Sequence, residues 1–212
     1  MARIVGVLIL AGGASSRMGM DKAELRFGGI TFLERLVAEF QEVWGEVAVV
    51  TRCEQQARLK QLVSDASVVW LADRESDVGP LEGLAVGMSY FEEQFSQGAV
   101  FVLPVDMPGV RRQHGECLLE RYGKREAVVM FNGVESPFWY PFLMPVGSAE
   151  FICQHVKNGG RRLRDVLTQL GIVLVEYSEL CRMEMGSDSL FSVNDPTEYA
   201  RLTSRESDLT ME

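Results

Sequence analysis

Leu8-Ile9-Leu10-Ala11-Gly12-Gly13-Ala14-Ser15-Ser16-Arg17-Met18-Gly19, continued by Met20, Asp21 and Lys22, joins an apolar run to paired glycines and then to two cations. Residues without a Cβ let the backbone reach φ > 0 and let anion oxygens come close to amide N–H groups. A strand that ends this way can cradle a polyphosphate, with Lys22 adding a point charge and Arg17 a planar fork. A nucleoside triphosphate is the natural guest. The spacing is neither that of the Walker A loop nor that of the dinucleotide fingerprint, which need later glycines or a Gly-Lys-Ser/Thr ending. The same residues also suit a plain strand-to-helix turn carrying surface cations.

Outward from this loop, strands alternate with amphipathic helices. Continuous apolar runs at 4–10, 47–51, 68–71, 99–103, 127–131 and 172–175 have the pattern of strands buried on both faces. Thr31 and Glu34 form a capping-box pair, after which Leu33, Leu36, Val37, Phe40 and Trp44 recur at helical spacing. Further helices are predicted over 54–63, 81–95, 112–122, 149–155 and 161–170. Repeated strand–helix units imply a mainly parallel sheet with helices on both faces, and ligands of such sheets sit at the carboxyl ends of the strands. The glycine loop, Thr51 with Arg52, Asp73 and Asp106 all fall at that edge.

The 212 residues, 47% of them hydrophobic and 24% charged, suit one substantial core, so a single domain is expected over 1–203, followed by a polar tail at 204–212. A net charge of -9 argues against nucleic-acid and anionic-membrane partners, because no broad basic surface is on offer. Cys53, Cys117, Cys153 and Cys181 show neither disulfide-framework nor zinc spacing. The N-terminal apolar run is too short for a signal peptide or a membrane span, and a cytoplasmic location is expected.

Three further elements carry chemistry. In Leu103-Pro104-Val105-Asp106-Met107-Pro108 a carboxylate follows an apolar strand on a backbone stiffened by prolines. That arrangement can hold Mg²⁺ against a phosphate, or can equally cap a turn. In Asp73 to Gly83, Gly79 and Gly83 bracket a helix start and allow a flat ligand to approach, while Asp73 can accept two hydrogen bonds from guanine N1–H and its exocyclic amine. Gly79-Pro80 is also an ordinary helix opening. Gly159-Gly160-Arg161-Arg162-Leu163-Arg164 places guanidinium groups at a helix start, either as an anion site or as a solvated face. Phe138, Trp139, Tyr140 and Phe142 read as core or pocket wall, and His114 and His155 lack ligand spacing.

Together these elements resemble the MobA-type molybdenum cofactor guanylyltransferases. The pattern is Leu-Ala-Gly-Gly (Leu10 to Gly13), Arg-Met-Gly (Arg17 to Gly19), Asp-Lys (Asp21, Lys22), an Asp (Asp73) ahead of Gly-Pro-Leu-x-Gly (Gly79 to Gly83), and Pro-x-Asp-x-Pro (Pro104 to Pro108). Phe191 to Pro196 resembles the family's late Asn-x-Asn-x-Pro segment. Ser192 replaces its first asparagine, and Thr51 stands where an asparagine often lies near the base.

The resemblance implies a three-layer Rossmann-like α/β nucleotidyltransferase fold that transfers GMP from GTP to the phosphate of molybdopterin and releases pyrophosphate. It implies nucleotide binding by Leu10, Ala11, Gly12, Gly13, Lys22, Thr51, Asp73, Gly79, Gly83 and Asp106. Catalysis would rest on Arg17, Lys22 and Asp106, with Asp106 holding Mg²⁺, and Arg161, Arg162 and Asn194 would face the pterin. Other molybdenum-cofactor proteins or the acceptor enzyme are the implied transient partners. A related nucleotidyltransferase that uses CTP or activates a sugar phosphate, and a GTP-binding adaptor without turnover, are the competing expectations.

Overall fold

The computed structural model describes residues 3–12, 19–63, 66–73, 79–123, 127–133, 137–182 and 187–209. The first half of the chain runs β1 (Ile4–Leu10), a short hairpin of β2 (Arg26–Phe27) and β3 (Ile30–Thr31), α1 (Phe32–Phe40), β4 (Glu46–Arg52), α2 (Cys53–Leu62), β5 (Val69–Asp73) and α3 (Pro80–Gln94). The second half runs β6 (Ala99–Pro104), α4 (Arg112–Arg121), β7 (Val128–Asn132), β8 (Pro137–Pro145), α5 (Ala149–Lys157), α6 (Leu163–Leu170), β9 (Ile172–Glu176), α7 (Tyr177–Arg182) and α8 (Pro196–Leu209).

The main sheet has seven strands in the order β5-β4-β1-β6-β8-β7-β9. β1, β4, β5 and β6 are mutually parallel, and β8 runs against both β6 and β7. Side chains alternate across each strand, and the alternation splits the core in two. Val7, Ile9, Val47, Val49, Phe101, Leu103, Val129 and Phe131 face the layer of α1, α2, α4, α7 and α8. Val5, Leu8, Ala48, Val50, Val100, Val102 and Met130 face α3, α5 and α6. The expected sheet with helices on both faces is therefore present.

Local chemistry sets the element ends. Thr31 Oγ1 accepts from the Glu34 amide at 3.1 Å while Glu34 Oε2 accepts from the Thr31 amide at 2.8 Å, the reciprocal cap anticipated for α1. The helix stops at Phe40 rather than reaching Trp44, because Glu42 takes φ 62° and Gly45 φ 53°. Trp44 still returns to stack on Phe40 at 5.7 Å.

Several elements differ from expectation. The stretch from Phe138 to Phe142, expected as core or pocket wall, belongs to the antiparallel strand β8, with Phe142 fully buried and its neighbours packed against the core. The hairpin β2–β3, and helices α7 and α8, carried no clear periodic signal. Residues 204–209, expected to open the polar tail, lie within α8. Among the described residues, no helix is long and apolar enough to cross a membrane.

Candidate active site

The carboxyl edge of the parallel strands gathers two groups of side chains. The first surrounds the glycine loop. The Ala11 amide donates to Val50 O at 2.8 Å and the Val105 amide to Leu10 O at 3.0 Å, so the loop leaves the sheet clamped between β4 and β6. Arg52, the last residue of β4, donates through Nε to Gly12 O at 3.0 Å. A Cβ on Gly12 would lie 3.5 Å from Asp73 Oδ2. Gly12, Arg52 and Asp73 thus share one corner, and any longer side chain at position 12 would project into it.

The second group is built across the longest sequence separations. Asp21, with its side chain 5% exposed, caps the turn at Lys22–Glu24 by accepting from the Ala23 amide at 3.1 Å. It also accepts from Gln55 Nε2 at 2.9 Å and Arg58 Nη2 at 2.7 Å, which fastens the turn to α2. So fixed, Lys22 Nζ donates to Asp106 Oδ2 at 2.6 Å and to Asn194 Oδ1 at 3.0 Å. Asp106 follows β6, and its carbonyl accepts from the Val193 amide at 2.9 Å, which brings Asn194 to the lysine. The amino-terminal segment and the aspartate between the two prolines therefore meet.

The remaining candidates are distributed as follows. Gly13 and Arg17 lie outside the described residues. Thr51 is fully buried, and its hydroxyl donates to Gln55 Oε1 at a long 3.4 Å. Alternation along β4 puts Thr51 on the same face as Val47 and Val49, beneath α2, while Arg52, on the other face, reaches Gly12. Gly79 caps α3 with φ 77°, a conformation that favours glycine. Gly83 turns towards Val50 and Leu10, where a Cβ would lie 3.4 and 3.5 Å away. Those are ordinary van der Waals distances, so the packing of α3 on the sheet does not itself require glycine at this position.

The expected grouping of Arg161, Arg162 and Asn194 is not found. Arg161 lines a groove of about 590 Å³ between α3 and α5, with Glu82, Tyr90 and Lys157, in the layer opposite α8. Its Nη1 donates to Gly160 O at 3.1 Å. Arg162 is an exposed residue leading into α6. Only Asn194 joins Lys22. Arg52, expected at this edge beside Thr51 but given no role from sequence, is the member of that pair that reaches the glycine loop.

Burial shapes the electrostatics. Asp106 Oδ1 and Tyr140 Oη are enclosed without a hydrogen-bond partner among the described residues. Burial and the nearby Asp106 charge push the Tyr140 phenol well above its usual range. His114 is fully buried, and desolvation, with the Arg111 charge, pushes it down to about 4. Its Nδ1 accepts from the Arg111 amide at 2.9 Å, which leaves the proton on Nε2 to donate to Ser189 Oγ at 2.8 Å.

Among the described residues, no cluster of three or more acidic, His or Cys side chains could hold a metal. A lone carboxylate suits Mg²⁺, which commonly takes one or two protein carboxylates and completes its shell with water and phosphate oxygens. A carboxylate has about four acceptor positions, and among the described residues the Asp106 carboxylate accepts from Lys22 through Oδ2, with Oδ1 unpartnered. Hard oxygen donors with capacity to spare fit that ion.

Solved structures share this architecture. Molybdopterin-guanine dinucleotide biosynthesis protein A from Archaeoglobus fulgidus matches with a TM-score of 0.76 at 22% identity, over 96% of this chain and 99% of that one. The 2-C-methyl-D-erythritol 4-phosphate cytidylyltransferase of Thermus thermophilus matches at 0.66 and 19% identity, over 95% and 98%. Fold and family match together define a nucleotidyltransferase. The MobA-like NTP transferase domain family matches residues 7–173, and the chain belongs to that family. Relatives named "Probable molybdenum cofactor guanylyltransferase" occur in Haloferax mediterranei, 28% identical over 93% of this chain and 92% of theirs, and in Bacillus cereus, 28% identical over 95% and 96%.

Proposed function

We propose that the chain transfers GMP from GTP to the terminal phosphate of molybdopterin, forming the guanine dinucleotide and releasing pyrophosphate. The observation that carries this reading is the meeting of Lys22, Asp106 and Asn194 at the same sheet edge as Gly12, Arg52 and Asp73. The names of the relatives supply the substrate pair.

The acceptor is a phosphate monoester, whose second pKa of about 6 makes it largely a dianion at neutral pH. It attacks without a strong general base. One of its oxygens bonds to the α-phosphorus of GTP, the bond from that phosphorus to the bridging oxygen breaks, and pyrophosphate leaves with the electron pair. The enzyme's task is to bring two anions together. Lys22 supplies a charge that moves from Asp106 to the incoming triphosphate, and the backbone at Gly12, beyond the last strand hydrogen bond made by the Ala11 amide, takes a phosphate. Asp106, released by the lysine, is the residue to hold Mg²⁺, which when bound neutralises triphosphate charge. Asp73 accepts from guanine N1–H and the exocyclic amine, a donor pair that cytosine lacks.

Thermal melts with GTP, CTP, ATP and UTP in Mg²⁺, paired with pyrophosphate release on addition of molybdopterin, test the proposal. Protection by GTP alone together with pyrophosphate release is the expected result. Equal protection by CTP would replace the donor, and GTP binding without release would make the chain an adaptor.

A further inference from the structure

The corner formed by Gly12, Arg52 and Asp73 sets two groups of opposite hydrogen-bonding character side by side. Arg52 ends β4 and Asp73 ends β5, and the two are register partners in neighbouring parallel strands, so their side chains leave the sheet on one face. That face is the one on which Ala48 and Val50 pack against the α3 layer. Gly12 opens onto the same corner: a Cβ there would lie 3.5 Å from Asp73 Oδ2 and 3.8 Å from the Arg52 amide nitrogen.

The Nε of Arg52 donates to Gly12 O at 3.0 Å, which holds the guanidinium at the loop. A guanidinium carries five N–H donors in a fixed plane, and a carboxylate offers acceptors only. Arg52 spends one donor on the carbonyl, and the four on Nη1 and Nη2 bond to no other described residue. The corner therefore offers a row of acceptors next to a row of donors. Guanine has the matching order along its rim: the exocyclic amine and N1–H donate, and O6 and N7, which come next, accept. Adenine places an amine where guanine has O6, so donor would meet donor. Cytosine and uracil have no second ring to supply N7.

We propose that Arg52 is a specificity-determining residue: Nη1 and Nη2 donate to O6 and N7 of the guanine whose N1–H and exocyclic amine face Asp73. An arginine fork paired with these two acceptors is the commonest specific contact to guanine wherever proteins read that base. The bond to Gly12 O links base recognition to the loop, because one side chain touches both. This assignment rests on the proposed use of GTP and adds to it the residue that reads the second edge of the base.

Titration calorimetry of GTP, 7-deaza-GTP and inosine triphosphate in Mg²⁺ tests the contact on the whole chain. The first analogue replaces N7 by a CH group, and the second lacks the exocyclic amine. Wild type should bind 7-deaza-GTP on the order of tenfold more weakly than GTP, the loss of one hydrogen bond to a charged group. In Arg52→Met, which keeps the stem and removes the fork, the two should bind within about twofold of each other, while the penalty for inosine triphosphate, assigned to Asp73, persists. Equal affinity of wild type for GTP and 7-deaza-GTP overturns the proposal without any variant. So does a 7-deaza penalty unchanged in Arg52→Met, since a clamp on Gly12 or a contact to phosphate alone weakens both nucleotides alike. Loss of the inosine penalty in Arg52→Met overturns it too, because the side chain would then hold the shape of the corner and not the base. An N7-dependent protein that releases no pyrophosphate with molybdopterin overturns the guanylyl-transfer reading and leaves the base contact standing. A preference for CTP overturns both.

Discussion

Asp106 and Lys22 neutralise one another at 2.6 Å, and each is proposed to give up the other when substrate arrives. Removing either should therefore damage chemistry far more than folding. Lys22→Ala and Asp106→Ala should each lower pyrophosphate release about a hundredfold or more, and because the pair is only 20% and 15% exposed, each single variant should also melt somewhat lower than wild type through the charge left without its partner. Near-normal release would reject the assigned roles. Asp73→Asn should narrow the preference for GTP over ATP in competition assays, because an amide offers one acceptor where the carboxylate offers two. Lys22 and Asp106 were legible because both stand in motifs whose neighbours, glycine and proline, restrict the backbone around them. Thr51 and Arg52 were harder to tell apart, because successive strand residues face opposite ways: the Thr51 side chain is buried against α2 while Arg52 reaches Gly12.

At the scale of elements, α4 and the segment ahead of Asn194 are pinned by one imidazole. His114 accepts from the Arg111 amide and donates to Ser189 Oγ, and Gly109 packs so closely on Ser189 that a Cβ would lie 2.9 Å from its carbonyl oxygen. A histidine held at about 4 when folded and at 6.5 when unfolded takes up its proton first in the unfolded chain. Its contribution is intact above pH 6.5 and declines as pH falls towards 4, by about 3 kcal/mol in all. Urea unfolding across that window should show a shallower acid slope in His114→Gln than in wild type. Helix α3 gives a second contrast. A Cβ on Gly87 would meet Leu8 carbons at 2.4 Å, whereas one on Gly83 finds ordinary contacts. Gly87→Ala should destabilise by about 1–3 kcal/mol, while Gly83→Ala should stay near wild-type stability and nucleotide affinity, measured by melting and GTP titration. The α1 cap was legible in sequence because Thr31 and Glu34 act locally. Strand β8 was not, since three prolines and a run of aromatics at its start hide the strand pattern that its partners β6 and β7 impose.

For the whole molecule, the sheet order decides what ligand binding can do. The glycine loop, β4, β5 and the turn after β6 converge on one edge, so a bound nucleotide would bridge segments far apart in sequence. GTP with Mg²⁺ at a hundred times its Kd should raise the unfolding free energy by about 2.7 kcal/mol, and the gain should vanish in the Asp73→Ala, Lys22→Ala double variant. The alternation of strands and helices was readable from hydrophobic period alone, but strand order and direction are collective properties that no local stretch contains. The reversal of β8 has an evolutionary consequence. Because β7 passes to β8 by a reversal and not through a crossover helix, that half of the sheet can change without moving the parallel strands β5, β4, β1 and β6 that carry the candidate site, so one scaffold can diversify on one side while its site-bearing edge keeps its form.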